Sequence, residues 1–461
     1  MSAPPGTPER RKKVLRVLFT SLLLDLISFT FILPLFPNLI EFYRGHESRL
    51  STTTPTLLSH VLSLLNAYKN AFARPINDRY DIVLLGGALG SLFSFLQALA
   101  SPIIGLLSDK YGRRKALLWS MAGNILSVAL WVAATDFRTF LLSRIVGGLS
   151  EGNVQLAMAI ATDISDEGQR GATMALVGAC FSIAFTFGPA LGAWLSTKTT
   201  FAQNPFVGAA GFSLVLILVE TAYLYVALPE TLPSASAKEE TEKVKEGGNA
   251  RLANGTKPKE TATPVRRTNS HLLLNTTHFT FLLFFSGMEF SLPFLTWDLF
   301  SFRSSDQGRL LGFIGLVASI LQGSVVRRLH PLRVVQLGVS SCAVAFWLLG
   351  SVQSVRGLYA AGALLAVTSA TVVTGLNSLS SFEAGVGERG VKLGNHRSFG
   401  QAGRALGPLI FCTLYWWAGR ETAYAMGAAG MVGVCALVFG GLRIPPGTER
   451  VGKSAVKGKT Q

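Results

Sequence analysis

The chain has little charge for its length. Asp, Glu, Lys and Arg make up 15% of its 461 residues, where soluble domains carry about 25%. Acid is the scarcer sign, with 26 Asp and Glu against 42 Lys and Arg, for a net charge of +16. The basic residues are dispersed at the ends of apolar runs instead of clustering, which fits loops facing anionic lipid and argues against a nucleic-acid partner. Cysteine is also scarce. Cys180, Cys342, Cys412 and Cys435 all fall in apolar stretches and form no CxxC pair, so neither a disulfide scaffold nor a thiolate metal site is expected. No Gly-x-x-x-x-Gly-Lys-Ser/Thr loop, HExxH helix or Gly-x-Ser-x-Gly elbow occurs. An ATP-driven pump, a zinc hydrolase and a serine hydrolase are thereby disfavoured. No enzyme activity, cofactor or metal is expected.

What the chain does have is apolar length. Hydrophobic residues make up 49%, Gly occurs 47 times and mean hydropathy is +0.40. A spanning helix needs roughly 20 mostly apolar residues. Such runs start near Val14, Asp81, Ala116, Phe137, Gly171 and Val207, then near Leu272, Gly308, Val334, Leu358, Val391 and Thr422. The expectation is an all-α integral membrane protein of twelve spans in two sets of six. The boundaries read as a basic N-terminus (1–13), a first bundle (14–228) with an extended outer loop (41–80), a linker (229–271), a second bundle (272–443) and a basic tail (444–461). The linker is rich in Lys, Glu, Thr, Pro and Gly and has no apolar face, so it is expected to be mobile. The outer loop includes Val61–Leu65, suited to a short amphipathic helix. The first run is too long for a signal-peptide core and reads as a retained span. With both termini cytosolic, most Lys and Arg lie on the cytosolic side, as the positive-inside rule requires. The Asn254 and Asn275 sequons then face the cytosol or a membrane edge and should not be glycosylated. Landmarks recur at a near-constant offset: Ile104-Gly105 with Gln322-Gly323, Arg138 with Arg356, and Gly188-Pro189 with Gly407-Pro408. That pattern points to two parallel repeats.

Several apolar runs carry polar residues where lipid would exclude them. Asp25 lies about 16 Å into the first span at 1.5 Å per residue, where a charge is costly unless it faces a cavity or a partner. The fourth span reads Ser143-Arg144-Ile-Val-Gly147-Gly148-Leu-Ser-Glu151-Gly152-Asn153-Val-Gln155. As one continuous helix it would align Arg144, Gly148, Glu151 and Gln155 in a stripe, suited to a water-filled cavity. The seventh span carries Glu289. The eleventh carries Arg397, Gln401 and Arg404 on one face, with Arg404 near the midplane and Arg397 close enough to the cytosol to snorkel. Deep arginines keep their proton and need carboxylates, carbonyls or an anionic ligand. Arg404 with Arg144 could draw an organic anion, or Arg404 could pair internally with Glu289 or Asp25.

Residues 105–115 read Gly105-Leu-Leu-Ser-Asp109-Lys-Tyr-Gly112-Arg113-Arg114-Lys115, a tight charged turn between two long apolar runs. It resembles the loop between the second and third helices of the major facilitator superfamily, whose fold is two parallel six-helix repeats. In that family the loop latches the two halves in the outward-open state. The counterpart turn, Gly323 to Arg333, has no Asp, so the latch should be asymmetric. The Asp25 segment, the fourth-span motif, Leu228-Pro-Glu-Thr-Leu-Pro233, Leu283-Phe-Phe-Ser-Gly-Met-Glu289 and Arg397-Ser-Phe-Gly-Gln-Ala-Gly-Arg404-Ala-Leu-Gly-Pro408 are similar to the tetracycline-transporter-like branch of the twelve-helix drug:proton antiporters. Gly178 with Gly188-Pro189-Ala-Leu-Gly192 resembles the antiporter motif of the fifth helix, with Ala193 in place of its last Gly. Gly407-Pro408 is its echo.

The resemblance implies a secondary transporter of a small organic anion or drug-like compound. It would work by alternating access in a lipid bilayer, with protons as the coupled partner. Asp25, Arg144, Glu151 and Glu289 are the proton-coupling candidates. Arg144, Gln155, Arg397, Gln401 and Arg404 are the substrate candidates. Gly105, Asp109, Gly112, Arg113 and Arg114 form the gating turn, and Gly178, Gly188, Pro189, Gly192, Gly407 and Pro408 the packing motif. A passive facilitator and a receptor or scaffold acting through the linker are the competing readings.

Overall fold

The structure is a computed structural model. It describes residues 8–31, 39, 42–47, 56–70, 79–198, 206–232, 268–302, 304–385 and 387–445. The expected linker lies mostly outside the described residues, as do the ends of both termini, the Asn254 sequon and much of the outer loop.

The described secondary structure is helical. In chain order the helices are α1 (Pro8–Thr30), α2 (Leu57–Asn70), α3 (Arg79–Tyr111), α4 (Arg113–Ala133), α5 (Phe137–Ser150), α6 (Asn153–Asp163), α7 (Glu167–Lys198) and α8 (Val207–Ala227). After the linker come α9 (His271–Phe300), α10 (Ser304–Leu321), α11 (Pro331–Ser351), α12 (Val355–Glu383), α13 (Arg389–Ala418) and α14 (Arg420–Gly441). A π-helical turn over Gln322–Val326 closes α10. The short helix expected in the outer loop is α2.

Among the described residues nine helices are long and apolar enough to cross a bilayer. Those outside the nine include α1, the α5–α6 pair and α13. These carry Asp25, Arg144, Glu151, Arg397 and Arg404. The helices least suited to lipid by composition are therefore the ones that bring charge to the centre.

Each half has its own apolar core. One runs from Val14 to Leu228 and the other from Leu274 to Leu442, apart from Leu393 of α13, which joins the first. A small third cluster, including Ala175, Ala318, Val326 and Ala370, seals α7 against α10 and α12. On the other flank α3 packs along α13. Close approach there depends on missing side chains. A Cβ on Gly105 would strike the Gly390 carbonyl, and one on Gly394 would strike that of Ser101. Gly403 and Gly407 of α13 pack in the same way against the backbone of α9. Gly188 and Gly192 of α7 pack on α1, and Gly178 packs against Thr374 and Gln322 across the halves. Such small-residue contacts are how helices approach closely in lipid.

The fourth span differs from the sequence expectation. It is two helices. α5 stops at Ser150, Glu151 and Gly152 are non-helical, and α6 starts at Asn153. Ser120 of α4 occupies the gap. Its hydroxyl donates to the Ser150 carbonyl and accepts from the Gly152 N–H at 2.8 Å. The expected single stripe is therefore interrupted. Gln155 lies beyond the break, buried, and its amide donates to the Ser101 carbonyl at 3.0 Å.

Candidate functional site

Two arrangements of charge stand out, one where the halves meet at the ends of α3 and α6, and one at mid-depth.

The first is built on the 105–115 turn. α3 ends at Tyr111 and α4 begins at Arg113, leaving Gly112 alone between them at φ 105°. This forces Asp109 and Arg113 together. The Asp109 carboxylate accepts from the Gly390 and Val391 N–H groups at 3.0 and 2.8 Å. These belong to the first turn of α13, where backbone donors have no partner within the helix and the dipole favours an anion. Arg113 is fully buried. It reaches Asp109 at 2.7 Å, Ser108 at 2.7 Å and Asp163 at 2.8 Å. Asp163 also pairs with Arg389 of the other half at 2.9 Å. Two carboxylates and two guanidinium groups thus alternate across the interface. Arg114 points away from it, with its guanidinium on the Tyr225 ring and carbonyl.

Sequence reasoning missed Asp163, Arg389 and Glu230. Glu230 accepts from the Arg113 N–H at 2.9 Å and the Arg114 N–H at 3.2 Å, capping α4. Asp163 had a readable signal: it ends a helix, where the dipole disfavours an acid, so it needed cations nearby. At the counterpart turn Gly323 meets nothing within 4 Å where a Cβ would stand. The contacts of the two turns are therefore unequal.

The second arrangement surrounds a cavity of about 40 Å³ inside the first half. Asp25 and Ser28 of α1, Asn124 and Trp131 of α4, Arg144 of α5 and Glu151 at the break line it. Asp25 is 3% exposed, and its Oδ2 has no hydrogen-bond partner. Glu151 accepts from the Asn124 amide at 3.3 Å. Arg144 lies among the Phe93, Trp131 and Phe140 rings, 5.6–5.9 Å from their centroids. Aromatic faces can hold a buried guanidinium without neutralising it. Arg397 of α13 lies within electrostatic reach of both Glu151 and Asp25. Its Nε is buried without a hydrogen-bond partner.

The structure therefore gathers Asp25, Arg144, Glu151 and Arg397. It leaves Arg404 and Glu289 outside the cavity, paired with each other at 3.6 Å and each partly exposed. Of the two arrangements considered for Arg404, the internal pair is the one present. Gln401 stands between Arg397 and Arg404 on the same helix face, and its Oε1 is buried without a partner. The Pro189 side chain lies outside the described residues. Asn275 is buried in α9, where its Oδ1 accepts from His396 at 3.0 Å. Among the described residues no group of three His, Cys, Asp or Glu is placed to hold a metal ion.

The sequence profile described as Major Facilitator Superfamily matches residues 18–408. The chain belongs to the major facilitator superfamily. It is an integral, multi-pass membrane protein of a transporter family. The chain is 34% identical to major facilitator superfamily domain-containing protein 10 of Mus musculus, over 92% of this chain and 91% of the mouse protein. The Homo sapiens protein of the same name is 34% identical over 90% of each chain. A tetracycline resistance protein of class E from Escherichia coli is 25% identical over 73% of this chain and 79% of its own. Among solved structures, the crystal structure of the human organic anion transporter MFSD10 (TETRAN) superposes with a TM-score of 0.79 at 33% identity. The match covers 94% of this chain and all of that one. The tetracycline-transporter-like branch read from the motifs agrees with these relatives.

Proposed function

We propose that the protein is a proton-coupled antiporter of small organic anions or drug-like compounds. It has twelve spans and cytosolic termini and works by alternating access. The observation that carries this reading is the placement of Asp25. It is a buried carboxylate on a small cavity, within electrostatic reach of Glu151 and of Arg397 of the opposite half. A group so placed can exchange a proton when the halves part, and its charge can be linked to that of a bound solute. The organic-anion substrate class rests on the human relative's description and on Arg144 and Arg397 near the centre.

In this conformation the cavity is far below the roughly 300–1,000 Å³ of ligand pockets. The Asp109 end is held shut, so substrate would enter after the halves separate. Asp109 and the Asp163 bridge form the cytosolic latch, and Arg404 pairs with Glu289 outside the central cavity.

The test is transport of fluorescein, as an organic-anion probe, into proteoliposomes holding the full chain under an imposed pH gradient. Gradient-driven accumulation is expected in the wild type and its loss in Asp25→Asn. Flux that ignores both the gradient and the substitution would instead establish the passive-facilitator reading.

A further inference from the structure

Glu220 has no part in the scheme above. It stands on α8, one of the nine apolar helices, and is 1% exposed. Its Oε2 has no hydrogen-bond partner. Helix α8 packs on α1, α4 and α7. Among the described residues, the charged groups within electrostatic reach of Glu220 are Asp25 of α1 and Glu151 at the α5–α6 break, both acidic.

Its depth follows from helix register. Near one end of the α1–α8 pair the hydroxyls of Ser28 and Ser213 contact each other, and each donates to the other residue's carbonyl at 3.2 Å. Near the other, Arg10 of α1 donates to the Glu230 carbonyl at 3.1 Å. The two helices are thus antiparallel, with Asp25 opposite Leu216 and Glu220 opposite Ser21. Measured along the helix axes, Glu220 lies about one helical turn, roughly 6 Å, from the level of Asp25 toward the Asp109 end. Ile217 lines the cavity, so Glu220 stands just beneath it.

Charge balance then decides its state. Three carboxyl groups, Asp25, Glu151 and Glu220, share this region with two guanidinium groups, Arg144 and Arg397. Both guanidiniums reach Glu151, and Arg397 also reaches Asp25. Among the described residues the charged neighbours of Glu220 are both acidic. Adjacent buried acids without a cation do not all ionise.

We propose that Glu220 holds a proton in this closed conformation and exchanges it with Asp25, forming a second proton-binding carboxyl on the cytosolic side of the cavity. In the transfer the O–H bond on Glu220 breaks as one forms on the Asp25 carboxylate. The negative charge moves from Asp25 to Glu220, and the proton is replaced from cytosolic water once the latch opens. The exchange rests on the proton-coupled reading, whereas the location of the proton does not.

The two are tested separately. Infrared difference spectra of the full-length protein in lipid at neutral pH should show the C=O stretch of a neutral carboxylic acid. That band should be lost in Glu220→Gln and shifted in Glu220→Asp. A band that survives Glu220→Gln and disappears in Asp25→Asn would overturn the assignment. Fluorescein accumulation under a pH gradient should be lost in Glu220→Gln and partly retained in Glu220→Asp. Wild-type gradient dependence in Glu220→Gln would overturn the exchange. If the wild type itself ignores the gradient, proton coupling and the exchange fall together, while the infrared band still decides where the proton sits. Glu220→Gln should melt at the wild-type temperature, because glutamine is isosteric with the neutral acid.

Discussion

Gly112 makes the turn between α3 and α4 from a single residue. Its φ of 105° lies where L side chains are strained, and a Cβ there would also press on the Glu230 carboxylate. With ψ at 151° it sits in a region essentially reserved for glycine, and Gly112→Ala should cost about 1–3 kcal/mol from the backbone alone. Gly211 is the useful control. It lies within α8, and a Cβ there meets nothing. Gly211→Ala should therefore leave stability unchanged or raise it by about 1 kcal/mol through helix propensity. Thermal unfolding of both variants in detergent checks this, and an equal drop in the two would remove the argument from φ. The neighbouring Arg113 is specified just as tightly. It satisfies Ser108, Asp109 and Asp163 together, a geometry that a guanidinium fork meets and a lysine ammonium does not. Arg113→Lys is accordingly expected to lower the melting temperature despite keeping the charge.

At the scale of elements, the break between α5 and α6 is the feature that sequence reading did not foresee. The helix starts at Phe137 and Val207 were legible because apolar period and length declare them. The break was not legible, because Glu151-Gly152 inside an apolar run is compatible with an unbroken helix. What stops the helix is tertiary: Ser120 of α4 takes the Gly152 N–H and supplies a donor for the Ser150 carbonyl. Ser120→Ala removes both partners and should cost about 1–3 kcal/mol, the penalty for leaving a buried polar group unpaired. A melting temperature unchanged in this variant would mean that the break does not depend on Ser120. The same limit explains the site. Asp25, Arg144 and Glu151 were readable because each is a charge that lipid excludes. Which residues they meet was not, because that depends on how α13 crosses the first half. Arg397 turned out to lie within electrostatic reach of the central acids, and Arg404 turned out to pair with Glu289. Glu220 was overlooked because α8 otherwise reads as plain lipid-spanning helix.

At the scale of the molecule, two apolar cores meet through small residues and a narrow charged seam. Separating the halves would open the apolar cluster between α7, α10 and α12 and free Leu393 from the first core, so closure rests on that burial together with directional contacts. Asp109 supplies two charged hydrogen bonds to the start of α13, each worth about 1.5–3 kcal/mol. Its carboxylate also balances Arg113 in the seam. Asp109→Ala should therefore weaken closure by at least about 3 kcal/mol, or more than about a hundredfold in the ratio of closed to open molecules. The substitution lies far from the cavity, so any change in transport would come through that ratio. Spin labels on cysteines replacing Lys110 and Lys392, which flank the latch on opposite halves, report it directly by pulsed dipolar spectroscopy. The wild type should give one short, narrow distance distribution, and Asp109→Ala should add a longer, broader one. If the distribution does not change, Asp109 is a helix cap and no latch. The Asp163 bridge between Arg113 and Arg389 would then be the contact that holds the halves together, and Asp163→Ala should produce the longer distance instead.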